Sequence, residues 1–303
     1  MQDPLRHEAL PYKGHEHFVA SSVVVLRDGL DRDERPLFLN AQSKVNDVRD
    51  ALGPDADEIA MVATDEHGRN PSRIITMLHS FQSGGDGRRA LGVVELISAG
   101  LKPAAAEEAQ FAESVLNSQR LQSWALSAIC LYDTESLDAG TLEEMRQSHP
   151  VLRGEEADNG DYQDHLLERL FARTLPAAPV EAAAIDVAGP RLLQLRDFVR
   201  DHASRYGVAV DRVDDLVLAA NEVVTNSLRY AHGHCRVRMW YDRGSAVCEV
   251  ADDGALDDPL AGRIAPPPDA ATGRGLWLSN HLCDLVQVRC AHDGTVVRLF
   301  VDA

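Results

Sequence analysis

Between residues 36 and 147 short apolar runs of strand length alternate with longer runs of helical period. Residues 36–39, 58–62, 90–97 and 124–132 read as strands rich in Val, Ile, Leu and Ala. Residues 17–30, 45–52, 73–81, 104–117 and 142–147 read as helices, with Gly29 and Gly53 as stops and Ser72 of Asn70-Pro71-Ser72 as an N-cap. Strands that alternate with helices are covered on both faces, which requires an α/β domain with a mostly parallel sheet.

No phosphate-binding fingerprint accompanies this half. Ser83-Gly84-Gly85-Asp86-Gly87 lacks a following Gly-Lys-Ser/Thr and reads as a surface loop. His7, Glu8, His15, Glu16 and His17 are metal-type residues, but their spacing fits no rigid template, so they read as solvated surface. The formal net charge of -18 over 303 residues opposes nucleic-acid phosphates and anionic membranes, which excludes both as direct partners. Residues 1–12 lack the apolar core of a signal peptide and no run reaches membrane-spanning length, so a cytoplasmic location is expected. Five cysteines, an odd count without a CxxC, read as reduced thiols. Cys283 and Cys290 among them read as small buried residues rather than metal ligands.

The second half has another rhythm. Residues 153–164 are acidic and polar, as a linker would be, and 162–171 read as a short helix. His165 there is not placed as a phosphoacceptor, since no paired-helix segment surrounds it and Pro176 and Pro179 follow. Two amphipathic helices, 190–206 and 211–231, precede a hairpin of strands 235–241 and 246–251 turning at 242–245. A helix at 276–282 precedes strands 285–290 and 295–301. Helices on one side of an antiparallel sheet make an α+β two-layer sandwich.

Four short motifs fall at the ends of these elements. Glu222 and Asn226 share one helix face a turn apart and present a proton-accepting carboxylate beside a carboxamide oxygen suited to magnesium. Asp252-Asp253-Gly254 follows a strand and can take the amino proton of adenine. Gly273-Arg274-Gly275 opens a helix, where free N–H groups seat phosphate. Gly294-Thr295 starts the last strand, where a hydroxyl can support the Asp252 carboxylate directly or through water. The Pro/Gly/Ala-rich stretch between Asp252 and Gly273 suits a mobile lid.

Two resemblances follow from these residues. His7-Glu8-Ala9-Leu10-Pro11-Tyr12, Gly68-Arg69-Asn70-Pro71-Ser72-Arg73-Ile74-Ile75, Cys130-Leu131-Tyr132-Asp133 and Ser148-His149-Pro150 resemble the MEDS sensory domain. That resemblance implies a RecA-related α/β fold without a phosphate loop. The order Glu-x-x-x-Asn, Asp-x-Gly, Gly-x-Gly, Gly-Thr resembles the Bergerat (GHKL) ATP-binding fold of gyrase B, histidine kinases and anti-sigma serine kinases. Val223-Val224-Thr225-Asn226-Ser227 resembles the last group most, and 258–263 with Gly275-Leu276-Trp277-Leu278 resembles actinobacterial proteins joining such a domain to a MEDS domain. The expected layout is a sensory domain over 1–155, a linker over 156–185 and an ATP-binding domain over 186–303.

The resemblance implies ATP and Mg2+ as cofactors and assigns roles. Glu222 would be the catalytic base and Asn226 the magnesium ligand. Asp252 would bind adenine, with Gly254, Gly273, Arg274, Gly275 and Thr295 completing the nucleotide site. Leu256 departs from the family pattern, which usually has a second glycine there. The implied activity is an anti-sigma serine/threonine protein kinase, adjusted by the sensory domain, acting on a sigma factor or an STAS-type anti-sigma antagonist, with homodimerisation implied as well. The alternative is a non-catalytic, nucleotide-dependent binding module for those partners. A sensor histidine kinase would need a phosphohistidine that the sequence does not offer.

Overall fold

The fold comes from a computed structural model, which describes residues 4–64, 70–154, 159–189, 192–267 and 273–303. Gly68 and Arg69, Pro190 at an expected helix start, and residues 155–158 and 268–272 of the expected linker and lid lie outside the described residues. The chain divides into two compact units, Met1–Leu167 and Glu168–Ala303.

The first unit runs β1 (Arg6–Tyr12), α1 (Gly14–Asp31), β2 (Arg35–Asn40), α2 (Gln42–Leu52), β3 (Ala60–Ala63), α3 (Pro71–Ser83), β4 (Ala90–Val94), α4 (Pro103–Val115), β5 (Leu126–Asp133), α5 (Ala139–Ser148) and β6 (Val151–Leu152). Its strands form a six-stranded sheet in the order β3-β2-β4-β5-β1-β6, with every pairing parallel. This is the expected parallel α/β architecture. β4 is buried throughout, and β5 at all but its last residue, because helices cover a central parallel strand on both faces. Phe18, Leu26, Phe38, Val48, Leu91 and Ile129 build the core on one side.

Three local expectations change. The first strand, β1, escapes an apolar-run search because His7 and Glu8 sit in it. α1 passes through Gly29 and ends at Asp31, with Gly29 buried within the packed helix. The N-cap of α3 is Asn70 rather than Ser72: its side chain accepts the Ser72 N–H at 3.1 Å, and Pro71 takes the first helical position.

α6 (Leu166–Phe171) spans the junction of the units. The second unit continues with β7 (Ala183–Ala188), α7 (Leu192–Arg205), α8 (Val210–Tyr230), β8 (His234–Asp242), β9 (Ser245–Asp252), α9 (Arg274–Leu282), β10 (Leu285–Ala291) and β11 (Gly294–Asp302). Its five-stranded sheet has the order β10-β11-β9-β8-β7 and is antiparallel throughout, the expected α+β sandwich. α8 packs on β8, β9 and β11, burying Leu216, Ala220, Val223 and Val224 against the face that carries Val237, Met239, Cys248, Val250 and Leu299. β7 starts at Ala183, three residues before the expected domain start at 186. Its alternating burial, with Ala184, Asp186 and Ala188 exposed, is that of an edge strand.

The opposite sheet face is polar. Arg238, Glu249 and Arg298 are cross-strand neighbours, with Arg298 Nε donating to Glu249 Oε2 at 2.8 Å and Arg238 paired with Glu249 Oε1 at 3.3 Å. The Arg298 guanidinium also donates to the Pro176 carbonyl, and Leu175 is buried, so part of the connecting stretch lies against this face.

Arg212 ties the helical layer to the sheet. It donates to the Leu282 carbonyl at 2.8 Å and Asp284 Oδ2 at 3.0 Å, and Asp284 Oδ2 also accepts the Asp302 N–H. The guanidinium therefore satisfies a carbonyl at the end of α9 while pinning the start of β10. Arg212→Ala is expected to cost about 1–2 kcal/mol, discounted for its partial exposure. A lower urea midpoint with an unchanged slope is the readout, and an unchanged midpoint would refute it.

Candidate functional site

α8 supplies the first wall of the site. Its apolar positions face the sheet, which turns Glu222 and Asn226 to the side on which α9 packs. Gly275, in the first turn of α9, is buried against them. A Cβ built at Gly275 would lie 3.0 Å from Asn226 Nδ2 and 3.1 Å from Glu222 Oε2. Both polar tips therefore reach the start of α9, in a cradle that any larger side chain would begin to fill.

A glycine stands at that helix start. Its N-cap is Gly273, in the left-handed region at φ 89, a residue with no side chain to cap the first turn. A glycine at the cap supplies no side-chain acceptor of its own to the first N–H groups, the arrangement that attracts phosphate. Arg274 follows as the exposed first helical residue.

The second wall lies at the end of β9. One Asp252 oxygen, Oδ1, accepts the Gly254 N–H at 2.9 Å, which sets the carboxylate over a tight turn and leaves Oδ2 for a donor. Thr295 sits opposite Asp252 in the β11–β9 register. Its hydroxyl donates to the Gly254 carbonyl at 2.8 Å. The expected support of Asp252 by this hydroxyl is thus indirect, through the backbone of the turn, because the Thr295 side chain meets a carbonyl before it reaches the carboxylate. Burial, and after it the Asp252 charge, pushes the neighbouring Cys235 thiol up to about 12, so it stays neutral. Asp253 points elsewhere: His232 Nδ1 lies 3.0 Å away, and that hydrogen bond holds the exposed carboxyl below its usual range.

Two features were invisible in the sequence. The Leu256 N–H is bound by Cys290 Sγ at 3.2 Å, so this cysteine anchors the loop after Asp252. The stretch expected to be a mobile lid is partly fixed. Asp258 Oδ1 accepts the Leu260 N–H at 3.0 Å, Arg263 is fully buried and donates to the Pro259 carbonyl at 3.1 Å, and Asn280 Nδ2 holds the Gly262 carbonyl at 2.9 Å. Residues 258–263 are therefore a packed turn against α9. No charge pattern announces this turn, since a buried arginine reads as surface until its carbonyl partners are placed.

Glu222, Asn226 and Gly275 thus converge on one end of the helical layer, while Asp252, Gly254 and Thr295 are joined at the adjacent strand end. The residues fit an adenine nucleotide with a magnesium ion: a carboxylate for an amino group, a helix N-terminus for phosphates, and a carboxamide with a carboxylate for a hard cation.

Two family models match the chain. Residues 188–301 match the family model of the histidine kinase-like ATPase domain, and residues 6–150 match the model of MEDS, the methanogen/methylotroph DcmR sensory domain. No curated protein matches the chain. Among solved structures the chain resembles one titled as a DnaB-like replicative helicase and its interactions with primase, at 9% identity and a TM-score of 0.33. The match covers 83% of this chain and 54% of that one, about half its length, and a likeness so slight carries no argument. Among the described residues no helix is long and apolar enough to cross a membrane.

Proposed function

We propose that this chain, which joins a MEDS sensory domain over residues 6–150 to a histidine kinase-like ATPase domain over 188–301, is an anti-sigma factor serine/threonine protein kinase. The coarser statement, a regulatory ATPase- or kinase-like protein, follows from the two domains. The finer one rests on a single observation: Glu222 and Asn226 meet the glycine-capped start of α9 at Gly275.

In this reading bound Mg-ATP supplies the phosphoryl group. Asn226 holds the cation through its carboxamide oxygen, and Gly273, Arg274 and Gly275 receive the phosphates at the helix start. Asp252 Oδ2 accepts from the adenine amino group, with Gly254 and Thr295 fixing the turn that aims it. Glu222 Oε2 takes the proton of an incoming serine or threonine hydroxyl. Few groups are needed, because phosphoryl transfer depends on positioning and charge neutralisation. The protein substrate would be an STAS-type anti-sigma antagonist, with a sigma factor as the bound partner, in the cytoplasm and as a homodimer. The first unit would adjust the activity.

Titration calorimetry of Mg-ATP into wild type and Asp252→Asn tests the site. The asparagine keeps an Oδ1 for Gly254 but turns the second acceptor into a donor. The expected loss is about 1.5–3 kcal/mol, roughly ten- to hundredfold in Kd. Absence of binding to the wild type would remove the whole reading, and equal affinities would remove Asp252 from the adenine contact.

One observation favours the alternative, a nucleotide-dependent binding module. Leu256, standing where the resemblance leads one to expect glycine, is held at its N–H by Cys290 Sγ, which stiffens the loop beside the base. That reading expects Mg-ATP to raise Tm by mass action with no phosphate released or transferred.

A further inference from the structure

Four metal-type side chains that play no part in the nucleotide site meet inside the N-terminal unit. His7 lies on β1, Glu113 near the end of α4, Cys130 on β5, and His149 caps α5. His7 is 3% exposed and the other three 0%. One ligand-type atom from each lies within 4.8 Å of all the others. The contacts are tighter than that bound: Glu113 Oε2 is 3.1 Å from His7 Nε2 and 3.1 Å from His149 Nε2, and Cys130 Sγ is 3.4 Å from His7 Nε2. The edges of a tetrahedron with metal–ligand bonds of 2.0–2.3 Å are roughly 3.3–3.8 Å.

The surrounding contacts aim electron pairs at this point. His149 Nδ1 lies 2.9 Å from the Met145 carbonyl, which only accepts, so Nδ1 carries a proton and Nε2 is the nitrogen that faces inward. Asn117 Nδ2 donates to the Ser148 carbonyl at 2.7 Å, which turns Asn117 Oδ1 to His7 Nδ1 at 2.9 Å and leaves His7 Nε2 facing inward in the same way. Tyr132 donates its hydroxyl to Glu113 Oε1 at 2.9 Å, leaving Oε2 for the centre. Despite its nearness to Glu113, the buried His149 Nε2 has no hydrogen-bond partner among the described residues. Each candidate ligand except the cysteine is thus oriented by an outer partner, as metal ligands are. The other histidines near the start do not share this: His15 and His17 lie exposed on α1, and Glu8 pairs with Arg153 at 2.6 Å.

We propose that His7, Glu113, Cys130 and His149 form a closed four-ligand site for a zinc-class divalent cation. Two imidazole nitrogens, one thiolate and one carboxylate are a borderline-soft set that suits zinc over magnesium or calcium. All four positions come from the protein, as in a structural site, so the cation bolts β1 and β5 to α4 and α5. Binding sends the Cys130 thiol proton to solvent.

The test uses the full chain. Purified without chelator, it is expected to carry about one zinc per chain by elemental analysis. Stripped and reloaded with cobalt(II), it is expected to show the visible bands of a four-coordinate ion and a near-ultraviolet thiolate-to-cobalt band. Cys130→Ser removes the second band, and His149→Gln weakens cobalt binding at least about 100-fold. Magnesium-site residues cannot give the thiolate band, so binding at Asn226 is not confused with it. Should the variants fail to fold, the wild type decides: stripping lowers its Tm and zinc restores it. A folded wild type that takes up neither zinc nor cobalt overturns the proposal, as does a thiolate band that survives Cys130→Ser.

Discussion

Glu222→Gln is expected to lower phosphate transfer to a protein hydroxyl by roughly 10²–10⁴-fold while Mg-ATP affinity stays within a few-fold of wild type. The substitution keeps the shape and the place of the side chain on α8, one turn before Asn226 and against Gly275. It removes only the oxygen that can take a proton. Labelled ATP with candidate antagonist proteins measures transfer, and calorimetry on the same samples measures binding. Unchanged transfer would show that Glu222 is not the base. Loss of binding along with transfer would move Glu222 to the cation site. Acid-stable phosphate on the acceptor is expected for a serine or threonine product, and acid-labile phosphate would point to histidine instead. A wild type that binds but never transfers would leave the binding module as the reading, and the Leu256–Cys290 contact as its cause.

The largest effect on stability is expected at Gly294, which opens β11 at φ 126. A Cβ there would fall 1.9 Å from the Asp252 carbonyl oxygen and 2.9 Å from both the Asp252 carbonyl carbon and the Asp253 Cα. These are backbone atoms of the paired strand end, so nothing flexible can move aside. Gly294→Ala is expected to cost about 3 kcal/mol or more, the sum of a disallowed backbone region and a main-chain clash. That amounts to a fall in Tm on the order of 10 °C for the second unit. ATP binding should fall with it, since Asp252 rides on the displaced backbone. Gly207 is the control: it also has positive φ, at 89, but a Cβ there would meet only Ala303 at 4.0 Å. Gly207→Ala should cost only the conformational penalty, about 1–2 kcal/mol. Equal effects at the two positions would show that the clash with Asp252 contributes nothing.

Much of the fold can be read along the chain. β2, β4 and β5 announce themselves because buried parallel strands are apolar on both faces, and α8 because its burial repeats with the helical turn. β1 cannot be found that way: its His7 is polar yet buried, and what makes it so is Glu113 and Asn117, more than a hundred residues away. β7 is missed for a different reason. An edge strand of Ala183-Ala184-Ile185-Asp186-Val187-Ala188 buries little, so nothing in its composition separates it from a linker until β8 pairs with it. α3 is capped two residues before Ser72 because Asn and Ser compete for the same cap, and Pro71 settles the contest in favour of the residue before it.

Apart from β1 and β7, the sequence by itself determined the main succession of elements, the parallel and antiparallel character of the two sheets, and the four motifs at element ends. These depend on patterns a few residues long, which local sterics and burial translate directly. Only the tertiary structure decided which of those motif residues touch. It brought Gly275 to Glu222 and Asn226, sent the Thr295 hydroxyl to the Gly254 carbonyl, and packed 258–263 onto α9. It also placed β1 beside β5, which joins His7 to Cys130 across 123 positions. The physical reason is the same in each case: strand order and helix packing close long loops, and side-chain convergence is a property of that closure rather than of any neighbourhood along the chain.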